Sequence, residues 1–120
     1  MFSLYLHIPF CKRKCPYCDF YSQTQQAGIE QYLAALQQEL QLYTGHFPKD
    51  VVSIYFGGGT PSLLSSEQIG TLLDTIAQLY SVSPDCEITL ESNPEQASEA
   101  YYSALRSVGI NRLSMGVQSL

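Results

Sequence analysis

The chain has 120 residues and a mass of 13.4 kDa, a length that holds one domain or part of one. It is 45% hydrophobic with a mean hydropathy of −0.05, which predicts a globular fold and argues against intrinsic disorder. The formal net charge of −5 argues against broad electrostatic binding to nucleic acid or to an anionic membrane. The longest apolar run, 51–56, is too short to span a bilayer.

The first segment of the chain has the two-residue alternation of a strand. Leu4, Leu6 and Ile8 fall on one face, whereas Tyr5 and His7 fall on the other. If the apolar face packs against helices, Tyr5 and His7 point to the opposite side, into the interior of the fold and near the cysteines that follow. For His7, a structural role is expected before a role as a metal ligand.

Three cysteines follow this strand with the spacing C-x3-C-x2-C: Cys11, Cys15 and Cys18. Three thiolates in one tight loop can hold three irons of a cubane cluster and leave the fourth iron free for a small molecule. A zinc site completed by His7 or Cys86 stays open as an alternative. Four cysteines are too few for a disulfide scaffold, and no signal peptide is recognisable, so we expect reduced thiols and a cytoplasmic location.

The rest of the chain alternates between helix and strand patterns. Apolar residues recur at helical spacing from Ile29 to Tyr43. A β-branched and aromatic run then predicts a strand over 51–56. Ser65 and Gln68 form a capping-box signal for a second helix, which continues to Leu79.

The same alternation continues to the end of the chain. A third strand is predicted over 86–91, a third helix over 98–108 with Gly109 as its C-cap, and a fourth strand over 110–117. Cys86, which opens the third strand, is expected to be a small buried hydrophobic residue. The order βαβαβαβ predicts an α/β fold with right-handed crossovers and a parallel sheet.

Every unusual segment falls at the carboxyl end of a predicted strand, where parallel sheets bind their ligands. These segments are the cysteine loop 9–22, the glycine run 57–61, the stretch 91–94 and the stretch 116–118. Their convergence predicts one ligand site at this edge.

The glycine run lets a ligand approach the backbone closely, although a tight strand-to-helix turn is the alternative. It matches neither a Walker loop nor a dinucleotide fingerprint. Glu91 can accept hydrogen bonds from ribose hydroxyls, and a solvated strand end is its alternative.

These motifs together resemble one protein family. The motifs His-Ile-Pro-Phe-Cys, Gly-Gly-Gly-Thr-Pro, Glu-Ser-Asn-Pro and Ser-Met-Gly-Val-Gln-Ser occur in that order. The chain from Leu4 to Leu120 is similar to radical S-adenosylmethionine (SAM) proteins, and more narrowly to the oxygen-independent coproporphyrinogen III oxidase family with its heme chaperone (HemW-like) branch. The resemblance implies the amino-terminal part of a TIM-like (β/α) barrel over 1–120 that continues beyond Leu120.

The resemblance also implies the cofactors and their ligands. Cys11, Cys15 and Cys18 would hold a [4Fe–4S] cluster whose fourth iron binds SAM, and one electron from the cluster would cleave SAM to a 5′-deoxyadenosyl radical. The residues in the positions that contact SAM are Tyr5, Tyr17, Gly58, Gly59, Thr60, Glu91 and Gln118. Implied partners are SAM, heme or a porphyrin, an electron-donor protein and heme-accepting proteins, with no nucleic acid and no transmembrane segment.

One position separates the two branches of this family. Oxidase members resemble C-x3-C-x2-C-x-C, whereas Phe20 occupies the position of the additional cysteine here. Phenylalanine can neither donate a proton nor ligate a metal. The resemblance therefore favours a heme chaperone that has a SAM-binding cluster domain and binds heme through residues downstream of Leu120. Coproporphyrinogen dehydrogenase activity is the alternative, so whether the protein is an enzyme stays open at this stage.

Overall fold

The computed structural model contains a parallel sheet flanked by helices. It describes residues 2–9, 18–44, 50–58, 61, 64–92 and 98–115, without side-chain detail for 18–27 and 115. The elements in chain order are β1 (Phe2–Ile8), α1 (Cys18–Leu42), β2 (Val51–Gly58), α2 (Ser66–Leu79), β3 (Val82–Ser92), α3 (Glu99–Val108) and β4 (Arg112–Met115). The strands lie in the order β1-β2-β3-β4 and each neighbouring pair is parallel. The predicted α/β class and βαβαβαβ order are confirmed.

The hydrophobic core lies between one face of the sheet and the helices. The strands contribute Leu6, Ile8, Ile54, Phe56 and Leu90, all nearly inaccessible to solvent. The helices contribute apolar residues at the predicted spacing, among them Leu33, Leu36, Leu40, Ile69, Leu72, Ile76 and Leu105. Because side chains alternate along a strand, the other face of the sheet carries the intervening residues. No helix in the described ranges has the length and apolar character that a membrane span requires.

Two of the helix ends predicted from the sequence are confirmed, and one differs. The Ser65–Gln68 capping box is present: the Ser65 hydroxyl accepts from the Gln68 amide, and the Gln68 side chain accepts from the Ser65 amide. Gly109 is the C-cap of α3, as predicted. The first helix differs, since it begins at Cys18, eleven residues before the apolar periodicity, so 18–22 are helical and not part of the predicted loop. Its first turns are rich in polar residues and carry no apolar stripe.

Two strand boundaries also differ from the sequence-based prediction. β3 begins at Val82, four residues before the predicted start at Cys86. Pro84 and Asp85, residue types that are common in turns, lie within the extended strand. β4 begins at Arg112, two residues later than predicted. The backbone amide of Asn111 donates to the Ile88 carbonyl. Its side chain accepts from the Ile88 amide and donates to the Cys86 carbonyl, so it occupies two further hydrogen-bonding groups of β3 just before β4.

Two adjacent tyrosines fasten α3 to the carboxyl edge of the sheet. The hydroxyl of Tyr101 donates to the Leu64 carbonyl at 2.6 Å, in the connection between β2 and α2. The hydroxyl of Tyr102 shares a hydrogen bond of 3.1 Å with the Ser92 hydroxyl at the end of β3. Desolvation by burial raises the pKa of Tyr101 from 10.0 to about 12, with the neighbouring Tyr102 adding a smaller effect.

We therefore expect Tyr101→Phe to lower the free energy of unfolding by about 1–2 kcal/mol, because the Leu64 carbonyl loses its donor. The stability from the raised pKa is fully present below pH 10.0 and is lost as the pH rises through about 12. Urea unfolding at neutral pH and a near-ultraviolet titration of tyrosinate test both points. The variant should lack the last-titrating tyrosine. An unchanged titration curve would contradict the assignment, and Tyr43→Phe, at a 49% exposed tyrosine, is the control.

Candidate functional site

The open face of the sheet brings three aromatic or charged side chains together. Tyr5 of β1 lies beside Tyr55 of β2 in the strand register. Tyr55 pairs in turn with Thr89 of β3, and Glu91 lies two residues further along β3, on the same face. The three come from three adjacent strands, and Glu91 is near the carboxyl end of its strand. The face is therefore polar and aromatic at the edge where the sequence predicts a ligand site.

The carboxylate of Glu91 is held at both of its oxygens. The backbone amide of Gly58 donates to Oε1 at 3.1 Å, and the hydroxyl of Tyr55 donates to Oε2 at 2.7 Å. Hydrogen bonds to an ionised group are shorter and stronger than neutral ones. Each carboxylate oxygen has a second acceptor position, so the fixed carboxylate can still accept hydrogen bonds from a ligand.

The two tyrosines form a stack over the backbone of Gly57. The ring centroids of Tyr5 and Tyr55 are 5.7 Å apart, and the ring planes are inclined by 13°. A Cβ atom at Gly57 would lie 2.6 Å from the Tyr5 hydroxyl and 2.8 Å from the Tyr55 ring, so a glycine is needed for this arrangement. Tyr5 is nonetheless 58% exposed, which leaves its ring available to a ligand.

Gly58 is required by the fold itself. Its φ of +116° is rarely adopted by residues with a side chain. A Cβ atom there would also lie 2.8 Å from both the His7 ring and the Ile8 carbonyl. A substitution would therefore disturb the end of β1, from which the cysteine segment continues. Loss of ligand binding after a Gly58 substitution would not report on a ligand contact alone, and Glu91 is the better position for such a test.

Three of the seven predicted SAM contacts lie within the described residues, and the structure brings Tyr5, Gly58 and Glu91 to one region of the sheet. The other four, Tyr17, Gly59, Thr60 and Gln118, lie outside the described residues, as do Cys11 and Cys15. Cys18 is the first residue of α1, without side-chain detail. Within the described ranges, no three His, Cys, Asp or Glu side chains form a group that could hold a metal ion.

Cys86 is placed far from this edge. It is 5% exposed and belongs to the core on the helix side of the sheet. Ser92 lies six positions further along the same strand, a distance of about 20 Å at the usual rise per residue. Burial raises the pKa of its thiol, with Glu87 adding to the effect, which disfavours the thiolate that a metal needs. These observations confirm that Cys86 is a buried apolar residue and argue against it as a zinc ligand.

Sequence reasoning missed one residue of this site, Tyr55. The sequence identified it only as part of a β-branched and aromatic strand. Its position two residues before Gly57 puts it on the same face as the glycine that the rings cover, and this spacing was the available signal. Its pairing with Glu91 depends on the register between β2 and β3, which a single sequence does not provide.

Comparison with known proteins shows the family to which this chain belongs. The model of the radical SAM superfamily matches residues 5–120. The chain belongs to the radical SAM superfamily. A solved structure of the coproporphyrinogen III oxidase HemN from Escherichia coli, described as a radical SAM enzyme, covers 98% of this chain at a TM-score of 0.82 and 36% identity, over 28% of its own length. The fold is therefore the corresponding part of a radical SAM TIM-like barrel.

Curated relatives share sequence as well as fold. Proteins named heme chaperone HemW are 40% identical in Mycobacterium tuberculosis and 44% identical in Haemophilus influenzae, each over 124 residues. These alignments cover 99% and 98% of this chain and 32% of each relative. A mitochondrial protein from Bos taurus, radical S-adenosyl methionine domain-containing protein 1, is 38% identical over 98% of this chain and 27% of its own length. The chain spans about a third of the length of the curated relatives it matches.

Proposed function

We propose that this chain binds a [4Fe–4S] cluster and SAM at the carboxyl edge of its sheet, as part of a protein that binds heme and delivers it to other proteins. Cys11, Cys15 and Cys18 are the proposed cluster ligands. The proposed SAM contacts are Tyr5, Tyr17, Gly58, Gly59, Thr60, Glu91 and Gln118. When bound, the cluster would supply the electron that cleaves the sulfonium of SAM.

The observation that carries the SAM site is the fixed carboxylate of Glu91. The amide of Gly58 and the hydroxyl of Tyr55 hold its two oxygens, and acceptor positions remain for the hydroxyls of a ribose. The exposed ring of Tyr5 stacks on Tyr55, which bonds this carboxylate, and it offers an aromatic surface to the ligand. This combination of a fixed acceptor, an aromatic ring and a close backbone suits a nucleoside.

Two observations support the heme chaperone over the oxidase. The curated relatives from Mycobacterium tuberculosis and Haemophilus influenzae are named heme chaperones. Phe20 also stands two residues after Cys18, where oxidase members carry a further cysteine. The structural similarity to HemN favours the oxidase as the second candidate, although the two activities would share this part of the barrel. Heme, an electron donor and heme-accepting proteins are proposed partners. We also propose a cytoplasmic location, because cluster-binding thiols have to stay reduced.

The cluster is tested by matched alanine substitutions at the four cysteines of the chain. After anaerobic reconstitution of the full-length protein with iron and sulfide, we expect a broad brown absorbance from the wild type and from Cys86→Ala. Cys11→Ala, Cys15→Ala and Cys18→Ala should each lose it, because each removes a thiolate ligand. Metal analysis that finds stoichiometric zinc and no cluster absorbance would contradict the proposal.

The choice between chaperone and oxidase needs two measurements on the full-length protein. The protein is titrated with heme, and in parallel it receives coproporphyrinogen III, SAM and an electron donor without oxygen. We expect stable heme binding and no protoporphyrinogen IX. Formation of protoporphyrinogen IX would reject the chaperone. The Cys15→Ala variant is the control for the second measurement, because product that persists in it would come from a contaminating enzyme.

A further inference from the structure

Tyr55 occupies the centre of the open face and contacts both of its neighbours there. Its ring stacks on Tyr5, and its hydroxyl donates to Oε2 of Glu91 at 2.7 Å. Neither the glycine run nor the cysteine motif includes this residue. Its side chain lies between a proposed ligand-stacking ring and a proposed ligand-binding carboxylate.

The bond from Tyr55 determines how the Glu91 carboxylate is oriented. The amide of Gly58 reaches only Oε1, and a carboxylate held at one oxygen can still turn about its terminal bond, where the torsion is broad. A second donor at Oε2 fixes the plane of the group. The two donors come from the same strand, β2, three residues apart, so β2 sets the orientation of a side chain on β3.

Ser114 of β4 is a further polar neighbour of the Tyr55 hydroxyl. It lies opposite Glu91 in the register of β3 and β4. The hydrogen bond to Glu91 raises the pKa of Tyr55, whereas a hydrogen bond with Ser114 lowers it. A partner that donates to the phenolic oxygen stabilises the phenolate and so lowers the pKa. The hydroxyl of Tyr55 is the donor in the bond to Glu91, and the carboxylate oxygen Oε2 is the acceptor.

We propose that Tyr55 is a positioning residue, which holds the Glu91 carboxylate in the orientation that accepts the ribose hydroxyls of SAM. Tyr55 acts on the ligand through Glu91, and the proposal rests on the SAM site proposed above. A purely structural role, in which Tyr55 only stacks and stabilises the sheet, makes a different prediction for the ligand. It would leave recognition of the ribose unchanged.

The test compares variants of the full-length protein with a reconstituted cluster. Tyr55→Phe keeps the ring and removes only the hydroxyl. The Kd values of SAM and of a SAM analogue lacking the ribose 2′ and 3′ hydroxyls are measured by anaerobic calorimetry for wild type, Tyr55→Phe, Glu91→Gln and the double variant. We expect Tyr55→Phe to weaken SAM binding about fivefold to tenfold, with little change for the analogue. In the Glu91→Gln background the same substitution should cost less than about twofold, because its effect passes through Glu91.

Tyr102→Phe is the matched control. It also removes a tyrosine hydroxyl, one that bonds the side chain of Ser92, the residue next to Glu91. Its Kd for SAM should equal that of the wild type. Should Tyr55→Phe fail to fold, Tyr55→Met replaces it, because it also lacks the hydroxyl and fills the space with a flexible apolar side chain. The same difference between SAM and the analogue is then expected.

The outcomes separate this inference from the proposed function. Weakening by Glu91→Gln with an unchanged Kd in Tyr55→Phe would overturn the role of Tyr55 and leave the SAM site standing. Equal weakening of SAM and the analogue by Tyr55→Phe would also overturn it, because a general loosening of the sheet does not depend on the ribose hydroxyls. If Glu91→Gln binds SAM as tightly as the wild type does, the proposed site itself is wrong.

Discussion

The hydrogen bonds that join β2 to the carboxylate of Glu91 are the interaction on which the site depends. A half-buried carboxylate that lost its donors would carry a desolvation cost with nothing to offset it. The amide of Gly58 and the hydroxyl of Tyr55 supply those donors. Gly58 adopts a φ of +116°, and the rings of Tyr5 and Tyr55 lie where a Cβ atom at position 57 would collide with them. Gly57 and Gly58 therefore serve the protein's own geometry before any ligand arrives.

One face of the sheet forms the hydrophobic core, and the other face carries the proposed site. Leu6, Phe56 and Leu90 bury one face against the helices, and the residues that alternate with them, Tyr5, Tyr55 and Glu91, are free to carry polar chemistry. The helices also act on the site from a distance. Tyr101 bonds the connection that follows the glycine run, so α3 restrains the segment next to the proposed ligand contacts. The helices packed on one face therefore restrain the residues that form the proposed site on the other.

Much of the fold could be predicted from the sequence because the periodic signals are strong. The alternation in β1, the Ser65–Gln68 capping box and Gly109 as a C-cap all appear where the residue types require them. The beginning of α1 could not be predicted, since its first turns carry no apolar stripe. The early start of β3 and the late start of β4 depend on strand pairing and on the side chain of Asn111. Those are contacts between distant residues, which local patterns do not contain.

Part of the site could also be predicted from the sequence pattern and the topology. Glu91, Gly58 and Tyr5 stand at strand ends or on a recognisable face, so topology alone brings them near one another. The role of Tyr55 arises from the strand register, and the requirement for glycine at position 58 arises from its closeness to His7 and Ile8. Both are consequences of packing.

The most direct test of this account is a crystal structure of the full-length protein with its cluster and SAM, grown without oxygen. The account predicts a ribose hydroxyl of SAM within hydrogen-bond distance of the Glu91 carboxylate, with the bonds from Gly58 and Tyr55 still in place. SAM bound away from Glu91, or a Glu91 side chain that has left both donors to reach the ligand, would contradict it.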